Sequence, residues 1–369
     1  MIKLLALALL VTSCGTFKVP NIPLEKIEKN TEYFQISWVK DLDPDYNSGN
    51  LPIGNSSPYI FEDILYMGNL KGYMTAYDVE TGKVLWTFDE KNPIQSQVNK
   101  QGDYVYYGTK SGRFFARHYL TGKLKYATDL GSPIETQPSF MQGRVVIHLR
   151  NHTVITLDAK TGKVFWRYKR SVPYLTTLQR VSNILPYRNN IIIGFADGHI
   201  VSLSLLEGII HWEQKLSTGT KFVDVDVKPV FFQNLIVAGS ASGPMRMLNP
   251  DNGVIEKTIE LFQSHTPLVL GDELVVGSIF GVIYRLDRYG KIIKQKKISS
   301  DAISSINAWK NGYAVTTMGS EIIQVSQKTL DNLAIFNLGH DQSAVFGQSV
   351  KGQENLSVYS SRNRLYVFK

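Results

Sequence analysis

The sequence predicts an all-β fold, an eight-bladed β-propeller built from four-stranded antiparallel blades. Three observations lead to this prediction. A unit of about forty residues recurs along the chain, the units consist of short β-branched and aromatic runs broken by turn residues, and no stretch beyond the N-terminal segment sustains a helical period. A repeat of about forty residues that contains four strands is typical of a propeller blade.

The recurring unit is marked by a turn glycine near its end. The first three of these glycines are spaced by 40 and 40 residues, and the later ones by 46, 45 and 37. They are Gly82, Gly122, Gly162, Gly208, Gly253 and Gly290. Glycine supplies the positive φ that tight hairpin turns require. The six glycines therefore predict six hairpins, and the two longest intervals indicate insertions.

The two chain ends complete the count of blades. A degenerate hairpin near 322–330 supplies a seventh unit, and residues 356–368 form a half-unit that ends before its outer strand. Residues 33–39 resemble an outer strand that has no blade of its own. Pairing the two ends gives eight closed blades and covers an otherwise exposed strand edge. Seven blades is the alternative if the degenerate region forms fewer strands.

The N-terminus predicts export and lipidation. Lys3 precedes a short apolar run that ends in small residues, as in a signal peptide, and the run is too short to span a bilayer. Residues 11–14, Val-Thr-Ser-Cys, resemble a bacterial lipobox that ends in the chain's single cysteine, Cys14. We therefore predict a signal peptide over residues 1–13, acylation of Cys14, a tether over residues 14–30 and the propeller over residues 31–369.

Composition argues against several other classes of protein. With 43% hydrophobic residues the chain is an ordinary globular protein, and a formal charge of +8 over 369 residues does not indicate nucleic-acid binding. A single cysteine excludes an intramolecular disulfide and any multi-cysteine metal site. His148 and His152 lie four residues apart in a region that reads as strand and turn, and we expect no metal there.

The repeat carries a family resemblance. The motif Asp-x-x-Thr-Gly-Lys-x-x-Trp, present at 78–86 and 158–166, resembles the tryptophan-docking repeat of pyrroloquinoline-quinone (PQQ) propellers. With the lipobox, the tether and eight blades, residues 14–369 resemble the BamB family. This resemblance implies a non-catalytic lipoprotein scaffold that lies on the periplasmic side of the outer membrane and binds no cofactor. The implied partners are a BamA-type assembly protein, other members of the β-barrel assembly machinery, membrane lipid and unfolded β-barrel clients.

The insertions carry the sharper part of the resemblance. In BamB proteins a Val-Pro loop with leucines and an arginine pairs with an Asp-Val-Asp segment, and together they dock the BamA-type protein. By position Leu175, Asp224 and Asp226 match this pattern, whereas Leu178 and Arg180 match only with one or two inserted residues.

Elementary chemistry fits such a docking surface. Exposed leucines beside an arginine are typical of an interface hot spot. Asp224 and Asp226, two apart on a predicted strand, would face one side and could orient Arg180. The alternatives are that the leucines pack beneath their own loop and that the aspartates stabilise a turn.

A PQQ-dependent dehydrogenase-like periplasmic quinoprotein is the alternative function. The resemblance to those enzymes implies an adjacent cysteine pair and a calcium ion held by carboxylates and amides, and this chain has one cysteine and no clustered calcium ligands. We therefore predict no enzymatic activity.

The repeat tryptophans have a structural explanation. Trp86, Trp166 and Trp212 each follow a turn glycine by four residues, so an indole can pack between blades while its N–H finds an acceptor. Tyr126 takes this position once, and lysines take it later. They are Lys257 and Lys294. The later blades are therefore expected to pack differently.

Overall fold

A computed structural model describes residues 32–43, 56–173, 181–217, 222–240, 243–339 and 343–369. All regular structure in this part of the chain is β-strand, as expected from the period-2 runs and turn residues. Thirty-two strands form eight four-stranded antiparallel sheets, each a blade of the propeller. Within the same residues, no helix has the length and apolar character needed to cross a bilayer.

Blades 1 to 4 follow the chain, innermost strand first. Blade 1 contains β2 (Tyr59–Phe61), β3 (Ile64–Gly68), β4 (Tyr73–Asp78) and β5 (Val84–Asp89). Blade 2 contains β6 (Asn99–Gln101), β7 (Tyr104–Gly108), β8 (Arg113–His118) and β9 (Leu124–Asp129). Blade 3 contains β10 (Ser139–Met141), β11 (Arg144–His148), β12 (Thr153–Asp158) and β13 (Val164–Lys169). Blade 4 contains β14 (Leu185–Tyr187), β15 (Asn190–Gly194), β16 (His199–Ser204) and β17 (Ile210–Lys215).

Blades 5 to 8 continue the same order. Blade 5 contains β18 (Val230–Phe232), β19 (Leu235–Ala238), β20 (Met245–Leu248) and β21 (Ile255–Ile259). Blade 6 contains β22 (Leu268–Leu270), β23 (Glu273–Gly277), β24 (Val282–Leu286) and β25 (Ile292–Lys297). Blade 7 contains β26 (Ile303–Trp309), β27 (Gly312–Thr317), β28 (Glu321–Ser326) and β29 (Asn332–Asn337). Blade 8 contains β30 (Val350–Lys351), β31 (Leu356–Tyr359), β32 (Arg364–Phe368) and β1 (Ile36–Asp41).

The two chain ends close the ring in blade 8. Strand β1 pairs antiparallel with β32, in a register that runs from Ile36 opposite Phe368 to Asp41 opposite Arg364. The predicted sharing between the N- and C-termini is therefore confirmed. The degenerate region forms a complete four-stranded blade 7, so the propeller has eight blades and not seven.

The antiparallel blades give the propeller two distinct faces. Turns between first and second strands and between third and fourth strands lie on one face, because strand direction alternates. Turns between second and third strands and the blade-to-blade connections lie on the other face, which we call the connection face. Loops on a rigid scaffold of this kind are suited to binding, and both predicted insertions belong to the connection face.

Neighbouring blades are joined by the predicted tryptophan contact. In each case the indole Nε1 donates a hydrogen bond of 2.9–3.0 Å to a carbonyl in the third-to-fourth-strand turn of the next blade. The pairs are Trp38 with Val79, Trp86 with Tyr119, Trp166 with Leu205 and Trp212 with Pro250. The indole therefore both fills space and links blades, as the sequence predicts.

The turn glycine is required on two grounds where a tryptophan docks. Gly253 has φ of 74°, a conformation that favours glycine, and a Cβ added there would lie 2.4 Å from the Trp212 ring. In later blades a lysine makes the corresponding bond: Lys257 Nζ donates to Tyr289 O at 2.5 Å and Lys294 Nζ to Lys328 O at 3.0 Å. Blades 5 and 6 thus keep the polar link but lose the aromatic packing.

Candidate docking surface

The two insertions connect consecutive blades on the connection face. The first runs from β13 to β14 and the second from β17 to β18. Leu175, Leu178 and Arg180 lie outside the described residues, as does Cys14, so the roles given to them stay predictions. The described parts of the insertions are 171–173, 181–184 and 222–229. We call these three segments, with residues 174–180 between the first two, the docking surface.

The structure brings the two insertions into contact. The Ser182 hydroxyl oxygen, near the end of the first insertion, lies 3.3 Å from Val227 O in the second and 2.8 Å from Asn183 O, and these two carbonyls share its one donor proton. The next residue, Asn183, accepts a 2.7 Å bond from the backbone N–H of Gln137 in the preceding connection. These bonds fix the end of the first insertion to both neighbours and make one continuous surface.

The two aspartates differ from the expectation. Residues 222–229 form no strand, so the prediction that Asp224 and Asp226 project together from one strand is wrong. Asp224 is fully buried, whereas Asp226 is partly exposed. The reason is local: Val225 donates its backbone N–H to Phe195 O at 3.1 Å, which pulls this stretch onto blade 4. Of the two side chains, only that of Asp226 reaches solvent, and its Oδ1 is buried.

A charged cluster at the start of the first insertion escaped the sequence analysis. Arg170 Nε donates to Asp197 Oδ2 at 2.6 Å, and Nη1 donates to Glu213 Oε2 at 2.9 Å. The guanidinium carbon lies 5.4 Å from the centroid of the Phe195 ring. Burial acts to lower the pKa of Arg170, but hydrogen bonds to Glu213 and Asp197 outweigh it and hold that pKa above its ordinary value. This cluster ties the loop's first end to blade 4.

A sequence signal for this cluster exists in the repeat. Asp197-Gly198 occupies the second-to-third-strand turn of blade 4, and Arg170 directly follows the outer strand of blade 3. Their proximity depends on how adjacent blades stack, which residue spacing does not give.

Two buried histidines replace glycines in blade 3. The positions of His148 and His152 are occupied by glycine in the two preceding blades. These glycines are Gly108 and Gly112 in blade 2, 40 residues earlier, and Gly68 and Gly72 in blade 1, 80 residues earlier. The ring centroids of the two histidines are 5.8 Å apart, and His152 keeps the left-handed backbone of the glycine position, with φ of 60°. Among the described residues no group of three or more His, Cys, Asp or Glu side chains could hold a metal ion.

His148 is part of the anchor for the docking surface. Its Nδ1 lies 3.0 Å from Ser182 O, so the neutral ring donates its N–H there, and its Nε2 is buried with no hydrogen-bond partner in the described residues. Burial lowers the pKa of His148 from 6.5 to about 3, because a second N–H would have no acceptor in this site.

We therefore expect stability to fall with acidification. The unfolded chain takes up this proton near pH 6.5 and the folded chain only near pH 3, so the stabilisation is complete above pH 6.5 and is lost as pH falls between these values. At pH 5 the loss due to His148 should be about 2 kcal/mol relative to pH 7. Urea unfolding at pH 5 and pH 7 should show a smaller difference in the free energy of unfolding for His148→Gln than for the parent chain. An unchanged difference would contradict this assignment.

Comparison with known proteins agrees with this architecture. The sequence profile of a family described as outer membrane protein assembly factor BamB matches residues 70–297. BamB of Kangiella koreensis is 28% identical over 308 residues, which is 81% of this chain and 76% of that protein. The crystal structure of BamB from Moraxella catarrhalis has the same fold, with a TM-score of 0.75, 18% identity, and coverage of 91% of this chain and 99% of that one.

Similarity to a quinoprotein enzyme is narrower. Quinoprotein alcohol dehydrogenase PedH of Pseudomonas putida is 25% identical over 126 residues, which is 32% of this chain and 21% of the enzyme. The relatives that match over most of the chain are named as assembly factors, in agreement with the prediction of a non-enzymatic protein. Because the matching profile covers more than half of its residues, the chain belongs to the BamB family of outer membrane protein assembly factors.

Proposed function

We propose that this protein is a non-catalytic scaffold lipoprotein of the outer-membrane β-barrel assembly machinery. It is anchored in the outer membrane through acylated Cys14, faces the periplasm, docks a BamA-type protein and assists the insertion of β-barrel proteins. The observation that carries the proposal is the contact between the two insertions, in a chain of the BamB family, since Ser182 and Val227 join the predicted docking segments.

The docking surface suits a protein partner in its chemistry. Leu175 and Leu178 supply apolar anchors, and Arg180 supplies planar hydrogen bonding beside them, a combination common in interface hot spots. Asp226 is partly exposed and offers a carboxylate to the partner, whereas buried Asp224 acts from beneath as a positioning residue. The described segments of the docking surface lie on the frame of the propeller, and a preformed frame reduces the entropy lost on docking.

Leu175→Ala combined with Arg180→Ala should abolish docking. Removing two hot-spot side chains should lower recovery of the BamA-type protein at least about tenfold in a pull-down from detergent-solubilised envelope. The matched control is Leu120→Ala with Lys123→Ala, an exposed leucine and lysine on the opposite face. The control should recover the partner as well as the parent chain does. Equal recovery by both double variants would exclude the proposed surface.

The anchor is tested in the same preparations. A protein held by acyl chains on Cys14 stays with the membrane through a high-salt wash, because burial of methylene groups is insensitive to ionic screening. Cys14→Ala should therefore move to the washed supernatant. A Cys14→Ala chain that stays in the membrane fraction would show that another element anchors the protein.

A further inference from the structure

A solvent-open cavity of about 480 Å³ lies on the connection face beside the first insertion. Ser132 and Pro133, from the connection between blades 2 and 3, form one wall. Ser171 and Val172, at the start of the first insertion, form another. The cavity is large enough for a few side chains of an extended peptide and too small for a folded domain.

Three cationic side chains line this cavity. They are Arg150, Lys169 and Arg170, and none of the described residues in the lining is acidic. Arg150 Nη1 contacts Glu135 at 2.5 Å, Arg170 is held by Asp197 and Glu213, and Lys169 donates to the backbone carbonyl of Asn151. These contacts fix the cations and leave further N–H donors, since guanidinium has five and ammonium three. The carboxylates that hold Arg150 and Arg170 lie outside the lining, so the cavity itself presents fixed N–H donors that suit an anion.

The repeat shows that the cation at the end of the outer strand is particular to blade 3 among the first three blades. Asp89 ends the outer strand of blade 1 and Asp129 that of blade 2, where blade 3 has Lys169. The fold therefore does not require a cation at this position, because two equivalent blades close with the opposite charge. The floor is also particular to blade 3, because His152 stands where the preceding blades have glycine.

We propose that this cavity binds an acidic segment of a polypeptide, with carboxylate side chains between Arg150, Lys169 and Arg170. The serines add hydrogen-bond donors, and Pro133 and Val172 add the apolar contact that a peptide uses and a small inorganic anion does not. The cavity adjoins the docking surface, so the segment belongs to a protein docked there. The identity of that segment's source rests on the proposed function, whereas peptide binding itself does not.

The test uses fluorescein-labelled hexaglutamate and the purified protein. Arg150→Glu combined with Lys169→Glu should raise the dissociation constant measured by fluorescence anisotropy at least about tenfold, because two attractions become repulsions. Arg170 is left intact because it holds Asp197. Added salt should weaken peptide binding by the parent chain through screening. The control variant, Lys123→Glu with Lys163→Glu, makes the same charge change on the opposite face and should bind like the parent.

Four results would overturn the assignment. In the first, hexaglutamate shows no saturable binding to the parent chain, and in the second the control variant weakens binding as much as Arg150→Glu with Lys169→Glu does. In the third, millimolar inorganic phosphate displaces the peptide fully. In the fourth, Arg150→Glu with Lys169→Glu loses binding to phosphatidylglycerol vesicles but still binds the peptide. The milder variant Arg150→Gln with Lys169→Gln, checked by its unfolding midpoint, separates lost binding from lost folding. If the pull-down with altered Leu175 and Arg180 fails but hexaglutamate still binds, the docking proposal falls and the cavity assignment stands.

Discussion

Replacing Trp212 by alanine should destabilise the propeller by about 3–5 kcal/mol. The indole is 8% exposed, packs on the backbone of Gly253 in the next blade and donates a 3.0 Å hydrogen bond to Pro250 O. Alanine removes both the packing and the bond, and the left-handed turn that holds Gly253 cannot move inward to fill the space. Urea unfolding followed by circular dichroism measures the change.

Two further variants separate the contributions at this contact. Trp212→Phe keeps most of the ring but loses the N–H, and should cost about 1–2 kcal/mol for the lost bond and the unpaired carbonyl. Lys257 Nζ donates to Tyr289 O without an aromatic ring to pack, so Lys257→Ala should cost less than Trp212→Ala. An equal loss for the two alanine variants would contradict the role given to the indole.

Replacing Arg117 by methionine should cost about 3–5 kcal/mol, because it leaves the buried Glu90 carboxylate without its partner. Arg117 Nε lies 2.8 Å from Glu90 Oε1, and Tyr107 donates its hydroxyl to the same oxygen at 2.5 Å. Arg117 Nη1 also donates to Gly122 O at 2.8 Å, which ties the network to the turn that docks Trp86. Thermal and urea unfolding at pH 7 measure the loss.

The double variant and a surface pair provide the controls. The double variant Arg117→Met with Glu90→Gln should be less destabilised than the sum of the two single variants, because it leaves no buried charge without its partner. Arg188 pairs with Asp251 at 2.8 Å, but both side chains are more than half exposed, so Arg188→Met should change stability by less than about 1 kcal/mol. If Arg117→Met behaves like Arg188→Met, the buried network does not stabilise the fold.

The propeller could be predicted from local patterns. A blade repeats its strands and turns at a fixed interval, so the glycines at 82, 122 and 162 reveal the period without any tertiary information. The unpaired outer strand near the N-terminus and the incomplete last unit predicted their own pairing, because an uncovered strand edge is unfavourable. The extra residues in two intervals also located both insertions of the docking surface.

The site depended on contacts that spacing does not encode. The segment around Asp224 carries a strand-like pattern, but its backbone bonds to Phe195 and buries one carboxylate that the pattern placed at the surface. Period-2 arguments hold only where a strand has a sheet partner on which to alternate, and this segment has none.

The sequence by itself determined the kind and period of the repeating units and the positions of the inserted loops, and it predicted closure of the ring by the two chain ends, whereas the structure decided for eight blades over seven. Only the tertiary structure decided which side chains of neighbouring blades meet, as Arg170 meets Asp197 across 27 positions and Ser182 meets Val227 across 45. The physical reason is that strand and turn formation depend on adjacent residues, whereas these contacts depend on how one sheet packs against the next.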